Sequence, residues 1–279
     1  MDKSKIKNFI ILLLALVNLF LLFIVVSDAI EQRKAENLRI QALTTVLTDN
    51  GITLNPDIRL PENIPATLSL IRDKSAEKSS LSALIGNCTV KNQGGNIYFY
   101  TGSDGQAKIR GTGEFEILLN SGVFGLGKGP VSTAKSALEK LNIGYGDIEP
   151  IIEKDGENTK VTLFCSWDGT TIYNAKITFL FTSDYLILIS GTKPLDTEYS
   201  VQSSENYPDS VTVLMNFLES VRSTGYVCSE INDIKIEYNM FSAVSGLCTL
   251  KPVWCISTNT GIYYIDAQTG KAENLESAP

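Results

Sequence analysis

No stretch limits what this chain can fold into more than Phe9–Val26, eighteen residues with no charge and one polar side chain, Asn18. As a helix rising ~1.5 Å per residue it would extend ~27 Å, close to the ~30 Å hydrocarbon core of a bilayer. The expectation is a transmembrane helix over residues 9–27 behind a short tail, residues 1–8. Lys3, Lys5 and Lys7 precede the run, Asp28 and Glu31 follow it at once, and Arg33 and Lys34 come later. The positive-inside rule then places the N-terminus in the cytoplasm and the C-terminal domain outside the cell membrane, a single-pass arrangement. A cleaved signal peptide is the competing reading, with Ser27, Asp28 and Ala29 at the cleavage spacing, but its apolar core is usually only about 7–15 residues. Asn18 has two readings: its amide is satisfied by its own preceding turn, or it hydrogen-bonds a second helix.

After the run, Ile30, Leu38, Ala42 and Val46 with Leu43 and Leu47 form a stripe of helical period closed by Asn50-Gly51, an amphipathic stalk over residues 28–50. "ITLNPDIRLPENIP" is punctuated by Pro and Asn and reads as a linker, residues 51–66. Setting aside Asp2, Lys3, Lys5 and Lys7 from 31 acidic and 24 basic residues leaves 30 and 21, a net charge of −9 beyond the run. Such an acidic domain repels nucleic acid and anionic polymers, so the expected partners are proteins.

There is no histidine in the chain. That removes Ser-His and Cys-His nucleophilic pairs, an imidazole base and the commonest transition-metal ligand. Carboxylate, lysine and tyrosine mechanisms each need a cluster that no motif announces. The reading is therefore non-enzymatic, with no catalytic residue, no cofactor and no metal site expected. Cys88, Cys165, Cys228, Cys248 and Cys255 show no CxxC pair and sit in apolar, strand-like runs, as buried small hydrophobes do. A Cys248–Cys255 link across a hairpin stays open. "GVFGLGKGP" lacks the order of a phosphate loop, because Lys128 is followed by Gly129, and reads as a flexible connection; "SSENYP" from Ser203 reads as another.

From residue 67 the chain repeats one pattern, a helix followed by antiparallel strands with Gly-containing turns. Helices are expected in "SAEKSSLSALIG", "GPVSTAKSALEKLNIG" and "YPDSVTVLMNFLESVRSTGY", the last with Val211, Leu214, Phe217, Leu218 and Val221 on one face. "DIKIEYN" alternates as a strand with one face on a core does. Two echoes, "ALEKLNIGYGDI" with "FLESVRSTGYVCSEI" and "GNIYFYTGSDGQA" with "GIYYIDAQTGKA", read as weak duplication of a helix-on-sheet module. The expected class is α+β, an N-terminal transmembrane helix followed by an extracytoplasmic domain of repeated helix-on-antiparallel-sheet lobes. The N-terminal part covers residues 67–203, with a subdivision near 128–130, and a C-terminal lobe covers residues 204–279.

"KPVWCISTNTGIYYIDAQTGKA" resembles the last hairpin of PepSY-like modules, a Pro-x-Trp strand paired with a tyrosine-rich strand ending in Asp-Ala-x-Thr-Gly. With the lysine-bearing tail and apolar run, the chain is similar to the YycI/YycH group of membrane-anchored regulators of Gram-positive bacteria, nearest its YycI-like branch. That resemblance implies contacts, through membrane helix and ectodomain, with a companion YycH-like regulator and a sensor histidine kinase of a two-component system governing the cell wall. YpeB-like anchors with PepSY modules are the alternative, implying an inhibitor or modulator of an extracytoplasmic peptidase or hydrolase. The candidate partner contacts are Asn18, Trp254, Tyr263, Tyr264 and Asp266. Asp266 serves equally well as a turn residue, and the aromatic pairs as core.

Overall fold

The computed structural model describes residues 3–277 apart from 62, 196, 203–206, 226 and 244. Most of the expected link from Ser203 lies outside the described residues, as do the side chains of the lysine tail. The helices are α1 (Lys3–Asp49), α2 (Lys74–Ile85), α3 (Pro130–Lys140) and α4 (Ser210–Thr224). The strands before α3 are β1 (Thr53–Leu54), β2 (Leu68–Arg72), β3 (Thr89–Asn92), β4 (Tyr98–Thr101), β5 (Gly105–Ile109) and β6 (Glu114–Leu119). Between α3 and α4 come β7 (Ile151–Asp155), β8 (Asn158–Trp167), β9 (Thr170–Thr182), β10 (Tyr185–Thr192) and β11 (Thr197–Val201). After α4 follow β12 (Glu230–Ser242), β13 (Leu247–Thr258), β14 (Gly261–Asp266) and β15 (Ala272–Ser277).

These strands form one hydrogen-bonded network in the order β11-β2-β13-β12-β9-β10-β6-β5-β4-β3, with β14 and β15 continuing from β13, and β8 and β7 from β9. This overturns the expected chain of repeated lobes. A self-contained module pairs its strands internally, whereas β2 lies between β11 and β13, which belong to later units of the supposed repeat. Its two edges are thus satisfied by strands distant in sequence, and one mixed sheet replaces a series of separate ones. The seam between the halves is the parallel contact of β9 with β12, where Ile172 faces Tyr238. Main-chain pairing is sparse there, and the Asn174 amide reinforces it: its Nδ2 donates to Asn239 Oδ1 and to the Met240 carbonyl, and its Oδ1 accepts from the Met240 N–H.

The expected membrane span is also overturned. Among the described residues no helix is long and apolar enough to cross a membrane. Of Phe9–Val26, the side chains of Phe9, Ile10 and Val25 lie outside the described ones. The single-pass placement and the membrane contact inferred from it fall with the span. The run and the stalk are instead one continuous helix, α1. Among its described residues, large apolar side chains from Ile11 to Leu38 are exposed, and the last turns pack, with Leu43 and Leu47 buried against α4. The expected linker is likewise packed: Ile52 is buried, and β1 adds to β12 in parallel.

Local chemistry explains the other helices. Asp73 caps α2 by accepting from the N–H groups of Ser75 and Ala76, and Gly86 ends it at φ +79°. Pro130 opens α3 at the position where a missing N–H costs nothing. Asp209 caps α4 through the Thr212 N–H and takes Arg39 of α1 at 2.6 Å, which ties the two helices together. One core lies under α2 and α3, where Leu81, Ile85, Ala137 and Leu138 meet Phe115, Ile117, Phe179 and Phe181. A second lies under α4 and the end of α1, where Leu47, Leu214 and Phe217 meet Trp254, Ile256 and Ile265. Each large side chain so buried contributes about 1.5–3 kcal/mol. All five cysteines are free. Cys248 and Cys255 share β13, and seven residues of extended chain separate them by about 23 Å, far beyond disulfide reach.

Candidate functional site

The β12 strand alternates as its sequence directs. Ile234, Ile236 and Tyr238 face the cores, and Asp233, Lys235, Glu237 and Asn239 face the other way. On that second face Glu237 should meet water, as Lys235 does. Instead it is 7% exposed. Close by, Tyr173 of β9 and Tyr264 of β14 stack across β12 and β13 with ring centroids 3.8 Å apart and planes 16° from parallel. With Val253 and Cys255 they form a small third core on this face.

An open cleft of about 630 Å³ adjoins this core. Its floor is Glu237, Lys235 and Asp233 of β12 with Cys255 and Ser257 of β13. Its walls are Pro61, the Asp147–Ile148 segment, Ile262 and the start of β9 at Thr170 and Thr171. Asp168 and Gly169, both with positive φ, make the tight turn that feeds Thr170 into the wall. Within the cleft Lys235 Nζ holds Asp233 Oδ2 at 2.8 Å, and both groups reach solvent. Glu237 Oε2 is buried with no hydrogen-bond partner among the described residues. Burial pushes the Glu237 carboxyl up to about 7, against the partial pull of Lys235 and a contact with Cys255. Burial first, then the Glu237 charge, pushes the Cys255 thiol up to about 12, so it stays protonated and weakly nucleophilic at neutral pH. What the cleft offers chemically is an unsatisfied acceptor at the bottom of a part-apolar recess.

A second cleft, about 570 Å³, lies across the Asp168–Gly169 turn, and Thr170 lines both. Trp167 and Tyr199 meet edge to face at its wall, 5.5 Å between ring centroids. Lys193 is buried beside it with Nζ 3.5 Å from the Ser166 carbonyl.

The five residues expected at a partner contact are dispersed. Asn18 is exposed on α1 and donates to the Leu14 carbonyl at 3.0 Å, the local satisfaction open to any helical Asn. Trp254 is fully buried under α4, its Nε1 without a partner, and Tyr263 meets Phe217 edge to face in the same core. Asp266 accepts from the N–H groups of Gln268 and Thr269, and its carbonyl from Gly270, whose φ of +66° the turn requires. Tyr264 alone of the five belongs to the cleft's surroundings. Glu237 went unnoticed because "DIKIEYN" marks it as a solvent-facing strand residue. The one local hint was the tyrosine doublet, one member of which had to face away from the core.

No family model matches the chain, and no curated protein matches it. Among solved structures it is similar to an uncharacterized protein from Eubacterium rectale ATCC 33656, at 12% identity and TM-score 0.49, over 81% of this chain and 90% of that one. It is also similar to the Bacillus megaterium YpeB C-terminal domain, at 10% identity and TM-score 0.40, over 75% of this chain and 99% of that one. At these identities and scores neither structure carries an argument about fold or function.

Proposed function

We propose that the chain is a non-enzymatic regulator that docks a partner protein at the Glu237 cleft. The observation that carries this reading is the buried, unpartnered Glu237 Oε2 beside an open recess. A buried acceptor without a partner is costly, and a docked donor relieves the cost. From the resemblance, the partner is a sensor histidine kinase of a two-component system that governs the cell wall, acting with a companion regulator. Regulation is a shift of population: binding one signalling state of the kinase better than the other moves the equilibrium by the difference in affinity.

One observation favours a second reading. The outer edge of β11 is unpaired among the described residues, and Tyr199 and Val201 on it are exposed. Such an edge adds a strand to a partner, as an inhibitor lying in a peptidase cleft would.

Photo-crosslinking in cells tests both, with the crosslinking amino acid placed at Ile262 beside the cleft, at Tyr199 on the edge, and at Glu153 on β7 as a remote control. A sensor kinase captured from Ile262 and not from Glu153 is expected. A peptidase captured from Tyr199 would move the function to the edge. Identical products from all three positions would overturn docking at the cleft.

A further inference from the structure

We propose that the occupant of the Glu237 cleft is a basic side chain of the partner, a guanidinium or ammonium head set against the Glu237 carboxylate with its aliphatic stem along the apolar wall. This inference rests on the docking reading above and adds the chemistry of the guest.

Three features select that guest. Glu237 is more than nine-tenths buried, and its Oε2 accepts from nothing among the described residues. Among the described residues the only cation lining the cleft, Lys235, is engaged with Asp233 at 2.8 Å, while Asp147 adds a further carboxylate. The recess therefore carries three carboxylates against one ammonium and favours positive charge. Ile148, Ile262 and Pro61 offer the apolar surface along which a Lys or Arg stem packs while its head reaches a polar partner. A bare metal ion would leave that surface unused, and among the described residues no group of three or more His, Cys, Asp or Glu is placed to hold one.

Linkage sets the pH dependence. The groups that line the cleft with the Glu237 carboxyl are Lys235 and Asp233 of its own strand, the Cys255 thiol of β13, to which Tyr264 of β14 hydrogen-bonds, and Asp147 of the wall. In the empty cleft that carboxyl titrates at about 7. A cation binds its ionised form, so affinity is weak when the group is protonated, rises as pH climbs through neutrality, and levels off above.

The test is titration of the full chain, followed by NMR, with a blocked pentapeptide of glycines around one central arginine. Matched peptides carry lysine or citrulline, the uncharged isostere of arginine. Saturable shifts are expected at the cleft amides with arginine and lysine, and binding at least about tenfold weaker with citrulline. Glu237→Gln should weaken the arginine peptide by about the same factor, and the remote Glu153→Gln should leave it unchanged. Lowering the pH from about 8 to about 5.5 should weaken it by about tenfold or more in the wild type and leave Glu237→Gln unaffected. Equal binding of citrulline and arginine overturns the proposal. So do wild-type affinity in Glu237→Gln and a response to calcium chloride without one to the basic peptides. The two readings fail separately: kinase capture from Ile262 that persists in Glu237→Gln keeps the docking and removes the cationic guest, whereas absence of cleft-specific capture in the wild type removes the docking.

Discussion

The rings of Tyr173 and Tyr264 stack at 3.8 Å although two strands, β12 and β13, run between the strands that carry them. Three strand spacings amount to about 14 Å. Each side chain must therefore lie down over its neighbouring strand rather than stand up from the sheet. What they pack against is Val253 and Cys255, and Cys255 in turn meets the carboxyl of Glu237. This lid thus borders the cleft through Cys255, which lines its floor.

If the stack is a unit, the tyrosines are coupled. Tyr173→Ala and Tyr264→Ala should each cost about 2–4 kcal/mol, mostly from lost burial. In a double-mutant cycle by urea unfolding, about 0.5–1.5 kcal/mol of interaction energy should appear beyond the sum of the singles. Additive losses would mean that each ring packs on the sheet independently of the other.

Stability should fall as pH rises toward neutrality through Glu237. Its carboxyl titrates at about 7 in the folded chain, against an unfolded value of about 4.3. Between those values the folded state holds the extra proton, so this residue's contribution is neutral at low pH and grows unfavourable as pH climbs to about 7. The full effect is on the order of 3 kcal/mol. Glu237→Gln should match the wild type near pH 4 and exceed its stability at about pH 8. A difference between the two proteins that stays constant with pH would refute the assignment.

Local elements were legible in the sequence, and long-range ones were not. The glycine that ends α2 and the alternation of "DIKIEYN" are effects of neighbouring residues, and pattern captures them. The sheet order depends on which edges meet. Nothing near Leu68–Arg72 announces that β2 will sit between β11 and β13. The apolar run was read as a membrane span from its eighteen residues, whereas no helix among the described residues is long and apolar enough to cross a membrane. At the candidate site, Tyr264 drew notice for its composition. Glu237 was missed because its strand pattern marks it as solvent-facing and its burial depends on contacts with other strands.

The seam between the halves should be sensitive at Asn174. Three hydrogen bonds from one amide secure β9 to β12 where the strands share few of their own. Asn174→Leu leaves the Met240 N–H and carbonyl unpaired, at a cost of about 1–3 kcal/mol. Hydrogen exchange at Met240 should quicken by about tenfold or more, while amides under α3 keep their protection. An unchanged Met240 amide would show that the seam is held by packing alone.

A second buried charge is paired within the chain, with only the Arg72 Nη1 atom left without a partner among the described residues. Arg72 grips Glu77 with Nε at 2.5 Å and a terminal nitrogen at 2.6 Å, and Tyr100 donates to the same carboxylate at 2.5 Å. The pair fastens α2 to β2 and β4. Glu77→Gln should cost about 3–5 kcal/mol because it leaves the guanidinium buried without its counter-charge. Arg72→Met combined with Glu77→Leu should recover much of that loss, since an apolar pair of similar volume needs no compensation. Chemical denaturation of the three proteins checks the order. A double variant no better than the single would mean that the ion pair itself, and not its rupture, sets stability at this position.

The cysteines report on the lid. Burial raises the Cys165 thiol to about 11 and the Cys255 thiol to about 12, and Cys88, Cys228 and Cys248 are buried as well. A thiol reagent at about pH 8 should therefore find no fast-reacting group in the native chain and all five in denaturant. Removing one ring makes the measurement local. Tyr173→Ala uncovers Cys255 and leaves Cys165, in the other core, shielded. Mass mapping of the alkylated variant should show Cys255 labelled first, by a factor of about ten or more over Cys165. Labelling of both at one common rate would mean that access comes through global unfolding, and that the stacked tyrosines do not govern entry to the site around Glu237.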